Sequence, residues 1–455
     1  MKKFLSERKI YLTLFIFFLG FFMGTNLSFV NSAQDPSFKY LDFFHFVYQT
    51  IKLEYVEEAG PKKLFYGAID GMVSSLEDPY SRFLDEKEYS EFFHQVTGEF
   101  VGVGIEITTK DNQIVIISPI DESPAKRAGI QAGDRIVQID DTVVRPDNIN
   151  DVIKNIKGKP ETTVQLKIKR EGYPELINFS IKRAPVKVSA VKYGVIKEKP
   201  KSGYLKITNF YSDTHLDVRK ALLDLEKKGV KSLILDLRNN PGGNLETSIH
   251  IADYFLPKNS VIVSTRGKEG SGVSEEYKAE HDVLFKGDIL ILVNEGSASA
   301  SEVLSGALQD NKRAILAGET TFGKALVQRV IDIEKGKTGF ALTIRKYYTP
   351  SGKMIHKAGI KPDYLVKQDI IPENDKKNLG RVFNDKLIEK FAQKYEKYNE
   401  ENIELLVSFL KSKNVPLSKK VAAFYYKFEL NRDKPDALYD LEFDNQLKDS
   451  LKYLK

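Results

Sequence analysis

The chain has 455 residues, of which 42% are hydrophobic and 29% charged, with no cysteine and no tryptophan. This length is enough for about two to four domains, and the composition is typical of globular proteins. The 69 basic and 63 acidic residues give a net charge of +6, which over this length does not favour nucleic acid as a partner. Without cysteine there are no disulfides, thiolate metal sites or cysteine nucleophile.

The N-terminus carries a targeting pattern. Four cations (Lys2, Lys3, Arg8 and Lys9) precede the apolar run Ile10–Gly24, and polar residues then return. Such a pattern is typical of a secretory signal. Because Asn31-Ser32-Ala33 is a poor cleavage site, residues 1–33 are predicted to be an uncleaved signal anchor rather than a removed signal peptide. Residues 10–30 would lie in the inner membrane, with the remaining chain on the extracytoplasmic, periplasmic side.

Residues 34–97 form a helical region by pattern. Apolar residues recur at helical spacing from Phe38 to Tyr55, a second helix opens at Pro61, and a third short helix is predicted over Glu88 to Val96. No chemistry is assigned to this region.

Residues 98–184 are rich in predicted strands. In the middle stands Ser123 to Asp134, which reads SPAKRAGIQAGD and predicts a short helix ended by glycine. The order of elements resembles a PDZ domain, which adds a peptide tail to a sheet edge and holds its carboxylate on backbone N–H groups. The resemblance implies a carboxylate-binding loop at Val101, Gly102, Val103 and Gly104, followed by a receiving strand from Ile105 to Ile107. The alternative is that these glycines only form turns or bulges in an ordinary sheet.

Residues 187–369 have the pattern of an α/β core. Lys231–Arg238 and Asp288–Asn294 are apolar runs of the kind that form strands buried on both faces of a sheet. The first run leads into a turn containing Pro241, Gly242 and Gly243, where glycine allows close approach of a substrate. An ion pair of Asp236 with Arg238 is predicted to brace this turn.

The second run leads to a serine at a predicted helix start. Ser299 and Glu302 have the spacing of a capping box, and Asp310 with Asn311 should end the helix. A helix N-terminus stabilises a developing oxyanion, so Ser299 is a candidate nucleophile. Lys324 is the only cation in the run from Thr321 to Gln328. Desolvation disfavours the ammonium form, so a buried lysine there would serve as general base. Alternatively, Ser299 is only an N-cap and Lys324 only a snorkelling loop lysine.

These motifs together resemble the carboxyl-terminal processing proteases, also called tail-specific proteases. The resemblance rests on GSASASE at residues 296–302, GALQD at residues 306–310 and TFGK-x-x-x-Q at residues 321–328, with Gly71 to Phe83 as a further match. It implies Ser299 as nucleophile, Lys324 as base, Gln328 as the orienting amide, and an oxyanion hole from the N–H groups of Gly243 and Ala300. It also implies an α/β core like that of ClpP and the crotonases, with no metal or cofactor. Ala325 and His356 depart from the usual glycine and glutamine.

The sequence therefore predicts an α/β multidomain serine endopeptidase that captures protein C-terminal tails through its PDZ-like domain. One alternative is a non-catalytic tail-binding adaptor at the membrane. Another is a Ser-His-Asp hydrolase using His250, His281 or His356, although no G-x-S-x-G elbow surrounds any serine.

Residues 370–455 are charged and helical by pattern, with the last two helices predicted over Leu417–Leu430 and Ala437–Leu454. They are interpreted as a helical cap or as an arm that pairs two chains into a homodimer.

Overall fold

The computed structural model describes residues 37–454, apart from residues 111, 121, 146–148 and 436. The signal anchor predicted for residues 1–33 thus lies outside the described residues. Across the part that is described, we find no helix with the length and apolar character needed to cross a bilayer. The chain divides into two compact units, the first ending at Phe83 and the second beginning at Leu84.

The first unit contains the predicted helices α1 (Ser37–Glu54) and α2 (Pro61–Ser74), with proline opening α2, where its missing N–H costs nothing. The ring of Phe65 on α2 lies 4.9 Å from that of Tyr48 on α1. Several large apolar side chains of α1 are exposed, Tyr40, Phe43 and Phe46 by 64% or more. A short strand, β1 (Arg82–Leu84), spans the division between the units.

The second unit opens with α3 (Glu86–Thr97), which Asp85 and Glu88 cap reciprocally. A region rich in strands follows. Its elements are β2 (Glu99–Gly102), β3 (Ile105–Lys110), β4 (Gln113–Pro119), α4 (Pro124–Ala128), β5 (Arg135–Ile139), β6 (Thr142–Val143), α5 (Ile149–Ile156), β7 (Thr163–Lys169), β8 (Ile177–Lys182) and β9 (Ala184–Lys187). An antiparallel sheet has the strand order β3-β4-β5-β7-β8, with β6 beside β5. Alternate residues of β7 are buried, as expected for a strand with one face on a core.

The predicted carboxylate-binding loop is shorter than expected. Val101 and Gly102 belong to β2, where they pair with Pro185 and Ala184 of β9, so only Val103 and Gly104 connect β2 to β3. The pairing partner lies more than eighty residues away in sequence, and no local pattern identifies it. Strand β3, which begins at Ile105, lies at the end of the sheet order, in agreement with the predicted receiving strand.

The α/β core contains β10 (Val191–Val195), β11 (Ser202–Ile207), α6 (Thr214–Lys227), β12 (Ser232–Asp236), α7 (Leu245–Asp253), β15 (Asp288–Val293), α8 (Ala300–Asp310), β16 (Ile315–Gly318) and β19 (Tyr364–Leu365). Its strands form a six-stranded sheet in the order β10-β11-β12-β15-β16-β19. Strand β10 is antiparallel to its neighbour, and the other pairs are parallel.

Both faces of this sheet are covered, which explains why its central strands are continuously apolar. Leu233 and Leu235 of β12 belong to the large core built with α6, α7 and α8. Ile234, between them, points the other way and packs with Leu447 and Leu454 from the C-terminal end of the described chain.

A second, antiparallel sheet contains β13 (Val261–Arg266), β14 (Ser274–Lys278), β17 (Leu326–Glu334) and β18 (Thr338–Tyr348). Strand β18 pairs with both β13 and β17.

The C-terminal region forms its own helical core from α9 (Glu373–Asn384), α10 (Leu387–Lys394), α11 (Glu400–Ser412) and α12 (Lys419–Leu430). The predicted helix over Ala437–Leu454 is wrong in extent, because α13 covers only Asn445–Ser450, with a 3₁₀ turn over Leu451–Tyr453. Tyr439 and Leu441 instead lie against the second face of the α/β sheet. Packing against that sheet outweighs the helical pattern of this segment.

Candidate active site

Strand β15 delivers Ser299 to the C-terminal edge of the parallel strands, where α/β proteins usually place ligand sites. The strand ends at Val293, and α8 begins at Ala300 and ends at Asp310, in agreement with the predicted helix. Ser299 stands between them with φ 52° and ψ −112°. A residue with a Cβ adopts such a backbone conformation at a cost of about 1–3 kcal/mol, and strain of this kind is concentrated at functional sites.

Three serines occupy this turn, and the structure separates their roles. Ser297 and Ser301 are fully buried, and their hydroxyls donate to main-chain oxygens of Leu237 (2.8 Å) and Asn240 (2.9 Å). Ser299 is only partly buried. Ser297 and Ser301 therefore hold the turn in place, and of the three serines only Ser299 is accessible to solvent.

The buried carboxylate of Glu302 joins the Ser299 turn to the Lys324 loop. It accepts hydrogen bonds from the N–H groups of Ser299 (2.9 Å), Gly323 (2.7 Å) and Lys324 (2.8 Å), and from the Thr321 hydroxyl (2.6 Å). The bond from the Ser299 N–H to the Glu302 side chain is the Glu302 half of the predicted capping box. The N–H of Glu302 donates to the main-chain oxygen of Ser299 at 2.8 Å.

Tyr347 on β18 joins the same two residues through their carbonyls. Its hydroxyl oxygen lies 2.5 Å from the carbonyl oxygen of Lys324 and 3.1 Å from that of Ser299. Burial, together with the charge of Glu302, raises the pKa of Tyr347 well above its ordinary value, so the hydroxyl keeps its proton. Glu302 and Tyr347 thus hold the main-chain N–H and carbonyl groups of both Ser299 and Lys324. The sequence pattern assigns no such role to Tyr347.

The loop after β12 offers one glycine N–H to the site. The Gly242 N–H donates to Oδ1 of Asn240 at 2.9 Å, so this donor is already used. Gly243 is exposed and has φ 139°. A Cβ on Gly243 would lie 2.3 Å from the Phe210 carbonyl oxygen, so only glycine fits. The geometry favours Gly243 over Gly242 as an oxyanion donor.

Gly242 brings this loop against Ser299. A Cβ on Gly242, whose φ is 102°, would lie 2.8 Å from the Ser299 Cβ and 2.9 Å from the Ala300 nitrogen. Ala300 is the first helical residue, so its N–H has no acceptor within the helix. The buried Asn240 fixes this approach, because its carbonyl oxygen accepts from the Ala298 N–H at 3.0 Å.

Lys324 is partly buried and lies just before β17. Its loop is attached to the Ser299 turn by a hydrogen bond from the Phe322 N–H to the Ser297 carbonyl (3.0 Å). Gln328 lies within β17 opposite Thr343, and its Nε2 is 3.4 Å from the Thr343 hydroxyl oxygen. Of the three predicted site residues, Ser299 thus lies at the start of α8, Lys324 in the loop bonded to the Ser299 turn, and Gln328 on the strand that follows this loop.

The three histidines considered for a Ser-His-Asp triad make contacts with other residues. His281 donates to Asp253 at 2.5 Å, and the ring of His250 lies 4.9 Å from that of His215. Neither arrangement includes Ser299. His356 lies in the loop beside Gly323, which accepts a hydrogen bond from the adjacent Lys357 N–H.

Three family descriptions match the chain. Peptidase family S41 matches residues 201–366, a PDZ domain matches residues 101–181, and the N-terminal domain of the activating protease CtpB matches residues 25–88. The predicted PDZ domain is therefore confirmed.

Curated relatives extend the similarity over most of the chain. A carboxy-terminal-processing protease of Bartonella bacilliformis is 38% identical over 372 residues, which are 79% of this chain and 84% of that protein. The carboxy-terminal processing protease CtpA of Bacillus subtilis is 39% identical over 73% of this chain and 70% of its own. Among solved structures, a photosystem II D1 C-terminal processing protease is 32% identical and covers 72% of this chain and 88% of its own, with a TM-score of 0.43.

Proposed function

The chain belongs to the carboxy-terminal processing proteases, serine endopeptidases of peptidase family S41, and we propose that it cleaves peptide bonds with Ser299 as nucleophile and Lys324 as general base. The observation that carries the proposal is the double attachment of these residues. Glu302 accepts from the N–H of both, and Tyr347 contacts the carbonyl of both. Buried hydrogen-bonding groups of this kind preorganise a nucleophile and its base.

In the proposed reaction, the neutral amine of Lys324 takes the proton of the Ser299 hydroxyl, and Oγ attacks the scissile carbonyl carbon. The N–H groups of Gly243 and Ala300 hold the resulting oxyanion. Lys324 then returns the proton to the leaving amine, and an acyl-enzyme remains on Ser299. A water molecule deprotonated by Lys324 hydrolyses this ester, and Gln328 orients the amine throughout. No step requires a metal or cofactor.

The PDZ domain is proposed to capture the C-terminal tail of a protein substrate. Strand β3 lies at the sheet edge, where a peptide can add as a further strand. Val103 and Gly104 connect it to β2 and would hold the terminal carboxylate together with Ile105.

The position of the chain relative to the membrane is proposed from the sequence alone. The cations before residue 10 and the apolar run that follows favour an anchor with the PDZ and protease regions on the extracytoplasmic side. Pairing of two chains into a homodimer stays a prediction.

The proposal is tested with the full chain by following cleavage of unstructured casein. Ser299→Ala and Lys324→Ala should each lower the turnover on the order of 10⁴-fold, because nucleophile and base act as a unit. Matched controls are Ser274→Ala and Lys335→Ala, which change exposed side chains. A fluorophosphonate probe should label the wild type and not Ser299→Ala.

Turnover that persists in Lys324→Ala would reject Lys324 as the base and would favour a histidine base instead. A wild type that binds tail peptides but neither cleaves casein nor reacts with the probe would instead favour the adaptor.

A further inference from the structure

The oxyanion loop begins at Arg238, whose guanidinium lies in a buried polar cluster. Its Nη2 and Nε contact the Asp236 carboxylate, the closest pair of atoms being 2.6 Å apart. The Asp236 carboxylate is fully buried and also accepts from the Tyr204 hydroxyl at 2.6 Å. Burial alone would raise the pKa of Asp236, but hydrogen bonds and the charge of Arg238 outweigh it and hold that pKa below its usual range.

The opposite edge of the guanidinium is held by the C-terminal region. Nη1 and Nη2 of Arg238 donate to the two carboxylate oxygens of Asp444, at 2.8 Å and 2.7 Å. Gln446 contributes Oε1 at 3.2 Å. The Arg238 side chain is only 11% exposed, so water competes little with this bidentate pair.

Asp444 is itself fixed to the α/β core. It caps α13 by accepting from the Leu447 N–H at 2.9 Å. The buried Gln446 donates to the Val366 carbonyl at 2.7 Å, and Leu447 packs under the sheet with Ile234. The carboxylate that meets Arg238 is therefore a rigid partner and not the end of a mobile tail.

We propose that Asp444 is a positioning residue for the oxyanion hole, acting through Arg238 on the loop that presents Gly243. The inference rests on the proposed role of Gly243 as an oxyanion donor. Arg238 stands five residues before Gly243, at the point where the chain leaves β12. Asp236 ends β12 two residues before Arg238 and holds only one edge of the guanidinium. Asp444 fixes the second edge and thereby the direction in which the loop departs.

Removing Asp444 leaves Nη1 of Arg238 with Gln446 alone, on a side chain that is only 11% exposed. The loop then relaxes around Arg238, and the Gly243 N–H moves relative to Ser299. A misplacement of about 1 Å in a catalytic constellation can cost on the order of a hundredfold in rate. The loss falls on kcat, because the oxyanion forms only after the substrate has bound.

The test compares Asp444→Ala, Asp444→Asn and the control Asp449→Ala in the full chain. Asp449 is an exposed carboxylate on α13, the helix that Asp444 caps. Cleavage of a fluorogenic casein-derived peptide gives kcat and KM, and a fluorophosphonate titrates active sites, so that kcat refers only to folded, reactive enzyme. Asp444→Ala should lose about tenfold to a hundredfold in kcat per titrated site with little change in KM.

Asp444→Asn should recover part of the loss, since its Oδ1 still accepts from Arg238 and still caps α13. An unchanged kcat per titrated site in Asp444→Ala would overturn the inference, while loss of activity in Ser299→Ala would leave the proposed function standing. An equal loss in Asp449→Ala would also overturn it, because the effect would then be general to the C-terminal region. Full turnover in Ser299→Ala would remove the proposed function and this inference with it.

Discussion

Replacing Glu302 by glutamine tests whether one buried carboxylate holds the Ser299 turn and the Lys324 loop together. The carboxylate accepts four hydrogen bonds of 2.6–2.9 Å and donates none. An amide in the same place keeps one acceptor oxygen and puts an NH₂ group against donors. If NH₂ replaces Oε2, the N–H groups of Ser299 and Lys324 both lose their acceptor. If it replaces Oε1, the NH₂ group gains the Thr321 hydroxyl oxygen as an acceptor, while the Gly323 N–H and the Thr321 hydroxyl hydrogen lose theirs.

The second orientation is therefore preferred, and its cost can be estimated. Losing a hydrogen bond to a charged acceptor costs about 1.5–3 kcal/mol, and an unpaired buried N–H adds about 1–3 kcal/mol. Relief from burying a charge offsets part of this sum. We expect a net destabilisation of about 3 kcal/mol. This lowers the Tm of an α/β core of roughly 150–250 residues by roughly 6–12 °C.

Two measurements follow: thermal unfolding by far-ultraviolet circular dichroism, and kcat per titrated active site. Both should fall in Glu302→Gln. Glu295→Gln, an exposed position on the same turn, should change neither. A Tm within about 2 °C of the wild type, together with an unchanged kcat, would refute the linking role of Glu302.

Three further outcomes are expected. Tyr347→Phe keeps the buried ring and removes only the shared hydroxyl, so stability should fall by about 1 kcal/mol, while kcat per titrated site falls more than KM changes; equal kcat would contradict the double attachment. Gly243→Ala places a Cβ 2.3 Å from the Phe210 carbonyl oxygen at φ 139°, so peptide cleavage should be lost even where circular dichroism shows a folded protein. A fully active variant would contradict the requirement for glycine at this position. The hydrogen bond to Asp253 raises the pKa of His281, so its stabilising effect is complete below the unfolded pKa of about 6.5 and is lost as pH rises through the higher folded pKa. His281→Gln should therefore lower Tm at about pH 5.5 and leave it unchanged at about pH 9.5, and the same Tm difference at both pH values would reject the charged pair.

Features encoded by local pattern were predicted from the sequence. The bounds of α8 follow from a capping serine, apolar spacing and the Asp310-Asn311 end. The continuously apolar runs became strands buried on both faces. The Asp236–Arg238 ion pair was predicted because its members are two residues apart. The catalytic residues themselves were assigned through a motif resemblance and not through periodicity.

Other features depended on which distant segments meet. The close approach of Gly242 to the Ser299 Cβ joins two loops that are far apart in sequence. The strand at Val101 and Gly102 depends on β9, which local spacing does not identify. The region before α13 is not helical, because apolar side chains there gain more by packing on the α/β sheet than by continuing a helix.

The sequence by itself determined the α/β core, the PDZ domain and the candidate residues Ser299, Lys324 and Gln328, because their signals are carried by neighbouring residues. Only the tertiary structure decided how these residues are held. Glu302 meets Lys324 across 22 residues, Tyr347 meets Ser299 across 48, and Asp444 meets Arg238 across 206. Contacts of this kind form only when packing of the whole core overcomes the entropy of closing long loops, and that balance is a property of the folded chain rather than of any short stretch of it.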